Sequence, residues 1–372
     1  MTPLRIGIVG GSLAGLFAGV ILGMDGHDVR VYERSASGFE GRGAGLVPQQ
    51  EVFELLREIG VEHISTFGVP AFDRIYLDRS GAVIERARMP QTQISWDVLY
   101  STVARKLGPE QYVLGKHVVN VIDDKDQAVM EFADGTAASA DLVIGADGIG
   151  SVVRRLLNPD FRNRYAGYVA WRGLVPENAL FGTAAAVLPD NFTFYIAPGN
   201  HVLGYLVPGL GGEIGAGHRR YNWVWYRFVD SDLLPALFKG ASGSVSPYSL
   251  PRGELSEQRR SDLDVDAARL LPPPFVEAIK VEPFPSIQGI FDYEAVHMVG
   301  RRTALIGDAA FVVRPHTAMG VGKAAGDVLS LRDNLRRTLN LADALRAFED
   351  ERRDVGRRIA EYGKRLGASS MV

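Results

Sequence analysis

The start of the chain alternates apolar runs with glycine, in a pattern that predicts a strand, a helix and a second strand. Residues 4–9 form a short β-branched run, and residues 12–24 are apolar with small residues at helical spacing. Residues 29–33 alternate apolar and polar side chains, as a strand does. Three such segments within about 30 residues are typical of a βαβ unit.

The chain keeps this mixed α/β pattern as far as Arg154. A strand of the buried type at residues 142–146 is followed by a helix through Arg154, and Asp134-Gly135 is a hairpin-turn signal. The other elements predicted here are helices at residues 50–59 and 95–107 and strands at residues 118–122 and 129–132.

From Gly167 the pattern changes to alternating aromatic segments. GYVAWRGLV, FTFYIA, HVLGYLVP and YNWVWYRFV are separated by Pro, Gly and Asn, which predicts antiparallel sheet. An apolar strand at residues 301–306 and helices at 320–335 and 341–366 then restore the mixed α/β pattern. The sequence therefore predicts an α/β fold in which a Rossmann-like domain is discontinuous and an antiparallel, β-rich domain is inserted, followed by C-terminal helices.

We expect three parts with the following boundaries. The nucleotide-binding domain comprises residues 1–66, 91–166 and 284–335, the β-rich domain comprises residues 67–90 and 167–283, and the C-terminal helical segment comprises residues 336–372. The short piece at 67–90 has the pattern of a hairpin with its turn at Ser80-Gly81.

Composition excludes several classes of protein. The 372 residues carry 41 Lys+Arg against 44 Asp+Glu, a net charge of −3, which argues against a basic nucleic-acid surface. The chain has no cysteine, so disulfides, thiol catalysis and cysteine-held metal sites are ruled out. The seven histidines show no metal-ligand spacing, and we expect no metal.

The N-terminal sequence lacks the pattern of a signal peptide. Its apolar stretch at residues 11–24 is shorter than the roughly 20 residues that a bilayer crossing needs. We therefore expect a cytoplasmic protein that contacts no membrane.

The first chemical motif joins the first predicted strand to the helix. Gly10, Gly11 and Gly15 approximate the pattern in which glycines let the backbone approach a pyrophosphate, which the helix N-terminus then stabilises. Ser12 replaces the middle glycine, and Leu13 and Ala14 complete the loop. Glu33, with Arg34 beside it, ends the second strand, where an acid accepts hydrogen bonds from an adenosine ribose. This motif alone leaves FAD and NAD both open.

Two distant segments distinguish the cofactors. ADGIGSVVR begins at Ala146, and GDAA begins at Gly307 and is followed by Pro315, Gly320 and Gly322. With all three motifs in this order, the chain resembles the single-component FAD-dependent aromatic hydroxylases over nearly its whole length. Within that family, YVAWRGLV, YNWVWYR and the RPH stretch at residues 314–316 are most similar to the 2,6-dihydroxypyridine 3-hydroxylase-like enzymes.

The resemblance implies a set of FAD contacts. It assigns the pyrophosphate to Gly10, Ser12 and Gly15, the ribose to Glu33 and the ribityl chain to Asp308. The other positions that it assigns to the cofactor are Leu13, Ala14, Arg34, Arg42, Arg105, Asp147, Gly307, Pro315, Met319, Gly320, Val321 and Gly322. With no cysteine for a thioether link, the FAD is expected to be non-covalent.

The sequence departs from the family pattern at three places. Ala318 stands where many members have the first glycine of a Gly-x-Gly, and Gly322 stands where many have Asn. Trp96 lies near a position where many members have a cofactor-contacting Arg, so that Arg105 is a weak substitute.

The resemblance implies a reaction in which NADH or NADPH reduces FAD and O2 then forms a C4a-hydroperoxide that hydroxylates a small aromatic or N-heteroaromatic ring. The alternatives are a reductase or epoxidase acting on another acceptor, and a non-catalytic flavoprotein. The family and the mixed-charge C-terminal helix make a homodimer plausible. The sequence names neither the ring nor the preferred nicotinamide.

Three residues are candidates for the group that deprotonates the substrate. His316 follows Pro315 and, with a pKa near 6.5, could accept a phenolic proton near neutral pH. Tyr205 is the second candidate, because strand alternation places it on one face with His201, and Tyr195 on the neighbouring strand is the third. His201 itself follows a Pro-Gly-Asn turn and is expected in an exposed hairpin.

Overall fold

The computed structural model describes residues 2–39, 45–63 and 68–370, with the side chain of residue 370 excepted. The strands are β1 (Arg5–Val9), β2 (Asp28–Glu33), β3 (Gly45–Leu46), β4 (Val69–Leu77), β5 (Val83–Ser95), β6 (Tyr112–Leu114), β7 (Val118–Asp123), β8 (Ala128–Phe132), β9 (Ala137–Ala140), β10 (Leu142–Gly145), β11 (Arg164–Pro176), β12 (Asn191–Ala197), β13 (Asn200–Val207), β14 (Arg220–Phe228), β15 (Ser249–Leu250), β16 (Ser286–Glu294), β17 (Thr303–Leu305) and β18 (Phe311–Val312). The helices are α1 (Leu13–Met24), α2 (Gln50–Glu58), α3 (Trp96–Ala104), α4 (Val152–Leu157), α5 (Gly182–Val187), α6 (Leu234–Leu237), α7 (Glu257–Leu270), α8 (Pro273–Lys280), α9 (Gly320–Arg337) and α10 (Leu341–Ser370).

A parallel sheet forms the first half of the fold. Its strand order is β17-β10-β1-β2-β6, and every neighbouring pair runs parallel. All four residues of β10 are buried, which is the burial that a continuous apolar strand between two layers predicts. The βαβ unit predicted at the start of the chain is present as β1, α1 and β2.

A large, mostly antiparallel sheet forms the second half. Its order is β15-β16-β11-β14-β13-β12-β4-β5-β3, with β18 paired to β16. The sheet takes in β5 as far as Ser95 and β16 as far as Glu294, so it extends beyond the boundaries expected at residues 90 and 283. A third sheet, β7-β8-β9, contains the predicted turn at Asp134-Gly135.

The two faces of this large sheet have different roles. Trp171, Trp223 and Trp225 belong to the main hydrophobic core. The alternate positions of β11, which include Ala170 and Arg172, point to the other face. Gly173 lies opposite Trp223 on β14, and a Cβ built on Gly173 would come within 2.2 Å of the indole ring. Glycine is therefore required where the tryptophan packs across β11.

Four helices, α5 to α8, were not predicted, and all of them lie within the segment expected to be β-rich. The two longer ones, α7 and α8, contribute Leu263 and Phe275 to the main core. The local signals were present, because the Ser256 hydroxyl caps α7 and α8 begins with two prolines. In the described parts of the chain, no helix combines the length and apolar character that a bilayer crossing requires.

A buried carboxylate fastens β11 to the segment that follows α8. Glu282 is fully buried and pairs with Arg252 at 2.9 Å. It also accepts hydrogen bonds from the backbone N–H groups of Leu174, at 2.5 Å, and Phe284, at 2.8 Å. Removing this one carboxylate would leave a cation and two backbone donors without their partner.

We predict that Glu282→Ala lowers the free energy of unfolding by about 3–5 kcal/mol, because breaking a buried ion pair leaves uncompensated polar groups. Urea denaturation followed by circular dichroism measures this change. The control is Asp126→Ala, which removes an exposed partner 3.9 Å from Lys125 and is expected to cost less than about 0.5 kcal/mol. Equal losses in the two variants would contradict the prediction.

Candidate active site

The loop between β1 and α1 is built from two close backbone contacts. Gly10 has φ +104°, and a Cβ there would lie 2.5 Å from the carbonyl oxygen of Ala146. A Cβ on Gly15 would lie 1.9 Å from the carbonyl oxygen of Gly10. Both positions therefore require glycine, as a tight turn against a helix does.

The N-terminus of α1 is open to an anion. The side chain of Ser12, the N-cap residue, caps no backbone N–H, and the first turn carries no acidic residue. Leu13 is buried and Ala14 is half-buried. Unsatisfied N–H groups and the helix dipole at such an end favour a phosphate.

Glu33 connects the end of β2 to this loop. Its carboxylate is buried and accepts hydrogen bonds from the N–H of Gly11, at 2.9 Å, and of Ser35, at 2.7 Å. The neighbouring Arg34 is exposed. Arg42, the other predicted contact in this region, lies outside the described residues.

The second predicted motif follows β10. Asp147 accepts hydrogen bonds from the Ser151 hydroxyl, at 2.5 Å, and from the N–H of Val152, at 2.6 Å. The guanidinium of Arg154 bonds to the carbonyl of Asp308 at 3.3 Å and lies 3.9 Å from the ring centroid of Tyr293. Arg154 thus joins the second motif to the third, which lies about 150 residues away in sequence.

The third motif packs against the first. Gly307 has φ +58°, and a Cβ there would lie 3.0 Å from the Cβ of Ala14. The N–H of Gly307 donates to Asp327 at 2.9 Å. The side chain of Asp308 is exposed, and desolvation by the surrounding residues raises its pKa. All three motifs therefore meet at the edge of the parallel sheet where its strands end.

The segment after β18 leads into a second open helix N-terminus. Pro315 begins a short 3-10 turn, and Ala318 follows with φ +54°. Glycine adopts this left-handed conformation without strain, whereas Ala318 adopts it at a cost. Met319 precedes α9 without a side-chain cap, and the first turn of α9, from Gly320, contains no acid. Gly322 faces Gln49, and a Cβ added at Gly322 would lie 2.8 Å from the Cβ of Gln49.

A cavity of about 360 Å³ lies between the large sheet and the start of α9. It is lined by Phe39, Gly45, Leu46, Trp96, Arg172, Gly173, Leu174, Asn222, Ser286, Gln288 and Val321. The lining combines aromatic and aliphatic side chains with a few polar groups, as small-molecule sites do.

His316 lies in a cluster of rings on the same face of the large sheet. Its Nε2 is 3.0 Å from the hydroxyl of Tyr168, and its ring centroid is 4.3 Å from that of Tyr226 and 5.8 Å from that of His201. Burial, His201 and Arg314 lower the pKa of His316 to about 3. The pKa near 6.5 expected from the sequence is therefore wrong for this environment.

His201 is buried, not exposed as the turn before it suggested. Burial lowers its pKa to about 4, and neither ring nitrogen has a hydrogen-bond partner among the described residues. The strand continues past the turn into the sheet interior, which is why the local turn signal misled.

The structure separates the two candidate tyrosines. Tyr205 lies on the face that carries His316, donates its hydroxyl to the carbonyl of Gly45 at 3.3 Å, and has a pKa raised to about 12 by burial. Tyr195 pairs with Val202 and belongs to the main core, on the opposite face. The structure therefore does not bring Tyr195 together with the other two candidates.

Trp96 and Arg105 lie at opposite ends of α3. Trp96 lines the cavity and stacks on Tyr100, with ring centroids 5.1 Å apart. Arg105 is exposed at the C-cap. Nine residues of helix place them about 13 Å apart along the axis, so Arg105 does not occupy the place of Trp96 at the cavity.

Sequence analysis alone missed the polar residues of the cavity, which are Arg172, Asn222, Ser286 and Gln288. Arg172 and Asn222 lie within YVAWRGLV and YNWVWYR, two segments that indicated only strands and a family resemblance. Strand alternation places Arg172 opposite the face of Trp171, and this signal could have identified it as a site residue.

Comparisons with known proteins agree with this geometry. A family model described as "FAD binding domain" matches residues 4–178, and one described as "FAD binding domain-like" matches residues 165–292. The 2,6-dihydroxypyridine 3-monooxygenase of Paenarthrobacter nicotinovorans is 32% identical over 98% of this chain and 91% of its own length. An FAD-dependent urate hydroxylase of Klebsiella pneumoniae subsp. pneumoniae is 30% identical over 93% of this chain and 85% of its own length.

Solved structures show the same likeness. The 2,6-dihydroxypyridine-3-hydroxylase from Arthrobacter nicotinovorans superposes with a TM-score of 0.93, at 32% identity, over 100% of this chain and 93% of that one. Klebsiella pneumoniae HpxO complexed with FAD and uric acid gives a TM-score of 0.77 at 25% identity, over 97% of this chain and 87% of that one.

Buried His201 and half-buried His316 generate a prediction about pH. Because their pKa values are lowered in the folded state, the unfolded chain binds more protons below pH 6.5, and stability falls as the pH falls. Between pH 6.5 and 5 each histidine is expected to remove roughly 2 kcal/mol. Between pH 6.5 and 5, the free energy of unfolding of His316→Gln should therefore fall by roughly 2 kcal/mol less than that of the wild type.

Urea denaturation at pH 7, 6 and 5 measures the effect. His218→Gln, which changes a histidine that is exposed in the loop before β14, serves as the control and should leave the pH dependence unchanged. A pH dependence in His316→Gln equal to that of the wild type would contradict the lowered pKa of His316.

Proposed function

The chain belongs to the FAD-dependent aromatic monooxygenases, and on that premise we propose that it hydroxylates a hydroxylated aromatic or N-heteroaromatic ring, with NADH or NADPH as the electron donor. The observation that carries this proposal is the cavity between the large sheet and α9. It has apolar walls for a flat ring, and it lies beside an open helix N-terminus.

The residues present fit FAD. The backbone cradle at Gly10 and Gly15 admits no side chain, and the N-terminus of α1 is uncapped and free of acids in its first turn. We assign the pyrophosphate to this end, the adenosine ribose to Glu33 and the ribityl chain to Asp308. The uncapped N–H groups of α9 would face the flavin pyrimidine, where helix ends stabilise negative charge. Bound FAD supplies the redox chemistry that activates O2.

The protein's own contribution is to hold the ring and keep water out. Phe39, Trp96, Leu46 and Val321 provide apolar surface around the cavity. His316 and Tyr205 keep their neutral forms at physiological pH, because burial lowers the pKa of the first and raises that of the second. We therefore assign them to the wall of the site, and neither has a pKa suited to taking a proton near pH 7.

The division into a discontinuous nucleotide domain and an inserted substrate domain stays a prediction, and so does the homodimer. The two separate sheets support the division, with the cavity lying where the large sheet meets α9. The mixed charges along the exposed side of α10 are compatible with a subunit contact.

Glu33 provides a test of the cofactor assignment. Glu33→Ala is expected to weaken FAD binding by about 1.5–3 kcal/mol, the range for a charge-assisted hydrogen bond. Because Glu33 also accepts from the N–H of Gly11, Glu33→Gln is measured beside it; the amide keeps an acceptor oxygen and should give a smaller loss.

Fluorescence titration of the apo-protein with FAD measures both affinities. Asp28→Asn changes an exposed acid on the same strand and should bind FAD as the wild type does. Wild-type affinity in both Glu33 variants would remove the ribose assignment.

A substrate panel tests the proposed reaction. The holoenzyme is incubated with hydroxypyridines and phenols, and NADH or NADPH consumption is measured together with the product mass. We expect faster consumption with at least one ring and a product that has gained one oxygen atom from O2 as a ring hydroxyl, which the NMR spectrum of the product distinguishes from an epoxide of the same mass. Consumption with an unoxygenated product would favour a reductase, an epoxide would favour an epoxidase, and no stimulation by any ring would favour a non-catalytic flavoprotein.

A further inference from the structure

Arg172 is a cation in the wall of the cavity, and no counter-ion faces it among the described residues. It lies on β11 between Val224 of β14 and Ser286 of β16. Its Nε is buried without a hydrogen-bond partner, and no carboxylate in the described part of the chain pairs with its guanidinium. A half-buried cation without a counter-ion destabilises the folded protein unless a bound anion lies next to it.

Other arginines of the same region show the contrast. Arg220 pairs with Asp97 at 3.0 Å, and Arg314 pairs with Asp292 at 2.8 Å. Both therefore have an internal carboxylate to offset their charge. Arg172 points into the cavity instead, where a bound molecule can supply the negative charge.

Asn222 is the second incomplete polar group. Asn222 lies on β14, directly opposite Leu174 of β11 and therefore diagonal to Arg172. It lines the same cavity as Arg172. Both its Oδ1 and its Nδ2 are buried without a hydrogen-bond partner among the residues that the structure describes. Buried polar side-chain atoms are nearly always satisfied, so a pair of orphaned atoms facing a cavity indicates a ligand. An amide presents a donor and an acceptor side by side, which matches the N–H and C=O of a lactam.

The surroundings of Arg172 add no competing negative charge. No carboxylate lines the cavity among the described residues. The ionisable groups near the guanidinium are Tyr226 on β14, Tyr205 on β13 and His316 on the turn after β18, and all three are neutral near pH 7. The lining polar residues other than Arg172 and Asn222 are Ser286 and Gln288, which are uncharged. The cavity therefore favours a monoanion.

We propose that the substrate is a hydroxylated N-heteroaromatic monoanion, whose ionised oxygen binds the guanidinium of Arg172 and whose lactam edge pairs with the amide of Asn222. This inference rests on the proposed function and narrows its substrate class. The ring enters already ionised, so the site requires no strong base. An ionised oxygen also donates electron density to the ring, which favours attack by an electrophilic oxygen.

The first test measures binding to the oxidised holoenzyme, without NADH or NADPH, through the change in flavin absorbance. The probes are 2,6-dihydroxypyridine and its neutral O-methylated counterpart, 2,6-dimethoxypyridine. For the wild type, affinity for the first probe should rise tenfold per pH unit up to that probe's own pKa and then level off. Affinity for the second should not depend on pH.

Arg172→Gln should weaken binding of the anionic probe by about 10- to 100-fold and leave the neutral probe within about twofold. Arg172→Lys keeps the charge and should retain part of the preference for the anion. Arg164→Gln changes an exposed arginine on the same strand and should bind both probes as the wild type does. FAD content and the circular dichroism spectrum establish that each variant is folded.

The second test addresses the lactam edge and uses Asn222→Leu. Resorcinol is the carbocyclic counterpart of 2,6-dihydroxypyridine and lacks the ring nitrogen. The wild type should prefer the pyridine, and Asn222→Leu should reduce the ratio of the two affinities by about tenfold. An unchanged ratio would remove Asn222 from recognition.

The outcomes separate this inference from the proposed function. If the wild type hydroxylates a ring of the panel while folded Arg172→Gln keeps the anion preference, the inference is overturned and the function stands. If the anion binds through Arg172 but no ring is hydroxylated, the function fails and the binding inference stands. A wild-type protein that binds none of the anionic probes overturns the inference.

Discussion

The contact between Gly15 and the carbonyl of Gly10 is the constraint on which the rest of the site depends. It lets α1 start immediately beyond the end of β1, so that the helix N-terminus lies at the edge of the parallel sheet. Gly307 then packs on Ala14, and Arg154 joins the second motif to Asp308. Three segments separated by well over 100 residues thus meet because glycine leaves room for backbone where a side chain would exclude it.

The sequence predicted what depends on local backbone chemistry. The glycine loop, the acid at the end of β2 and the change of hydrophobic pattern at Gly167 all have a direct local cause, and each appears in the structure. Family resemblance added the order of the motifs and the identity of the cofactor. What the sequence could not supply was which side chains meet across strands, because those contacts depend on register and curvature of the large sheet.

The histidines illustrate this limit. A turn precedes His201 and suggested exposure, yet β13 lies between β12 and β14, and tertiary burial overrides the local signal. The same burial changes the expected chemistry of His316, because a desolvated imidazole resists protonation. Arg172 shows the opposite case, because it lies in the cavity wall without a carboxylate partner among the described residues. The described part of the site therefore combines neutral aromatic side chains with an unpaired guanidinium.

The packing of Trp223 across Gly173 limits which changes in the sequence of β11 the cavity wall can tolerate. Along β11, Trp171 faces the core, Arg172 faces the cavity and Gly173 accommodates the indole. A one-residue insertion or deletion in β11 would exchange the two faces of the strand. The guanidinium of Arg172 would then point into the core, and a side chain would take the place of Gly173 against the indole ring of Trp223. At this point of β11, a substitution at the cavity position keeps the packing of Trp223, whereas a change of length disturbs it. The tripeptide Trp-Arg-Gly therefore places a core side chain, a cavity side chain and a position that must stay glycine next to one another in the sequence.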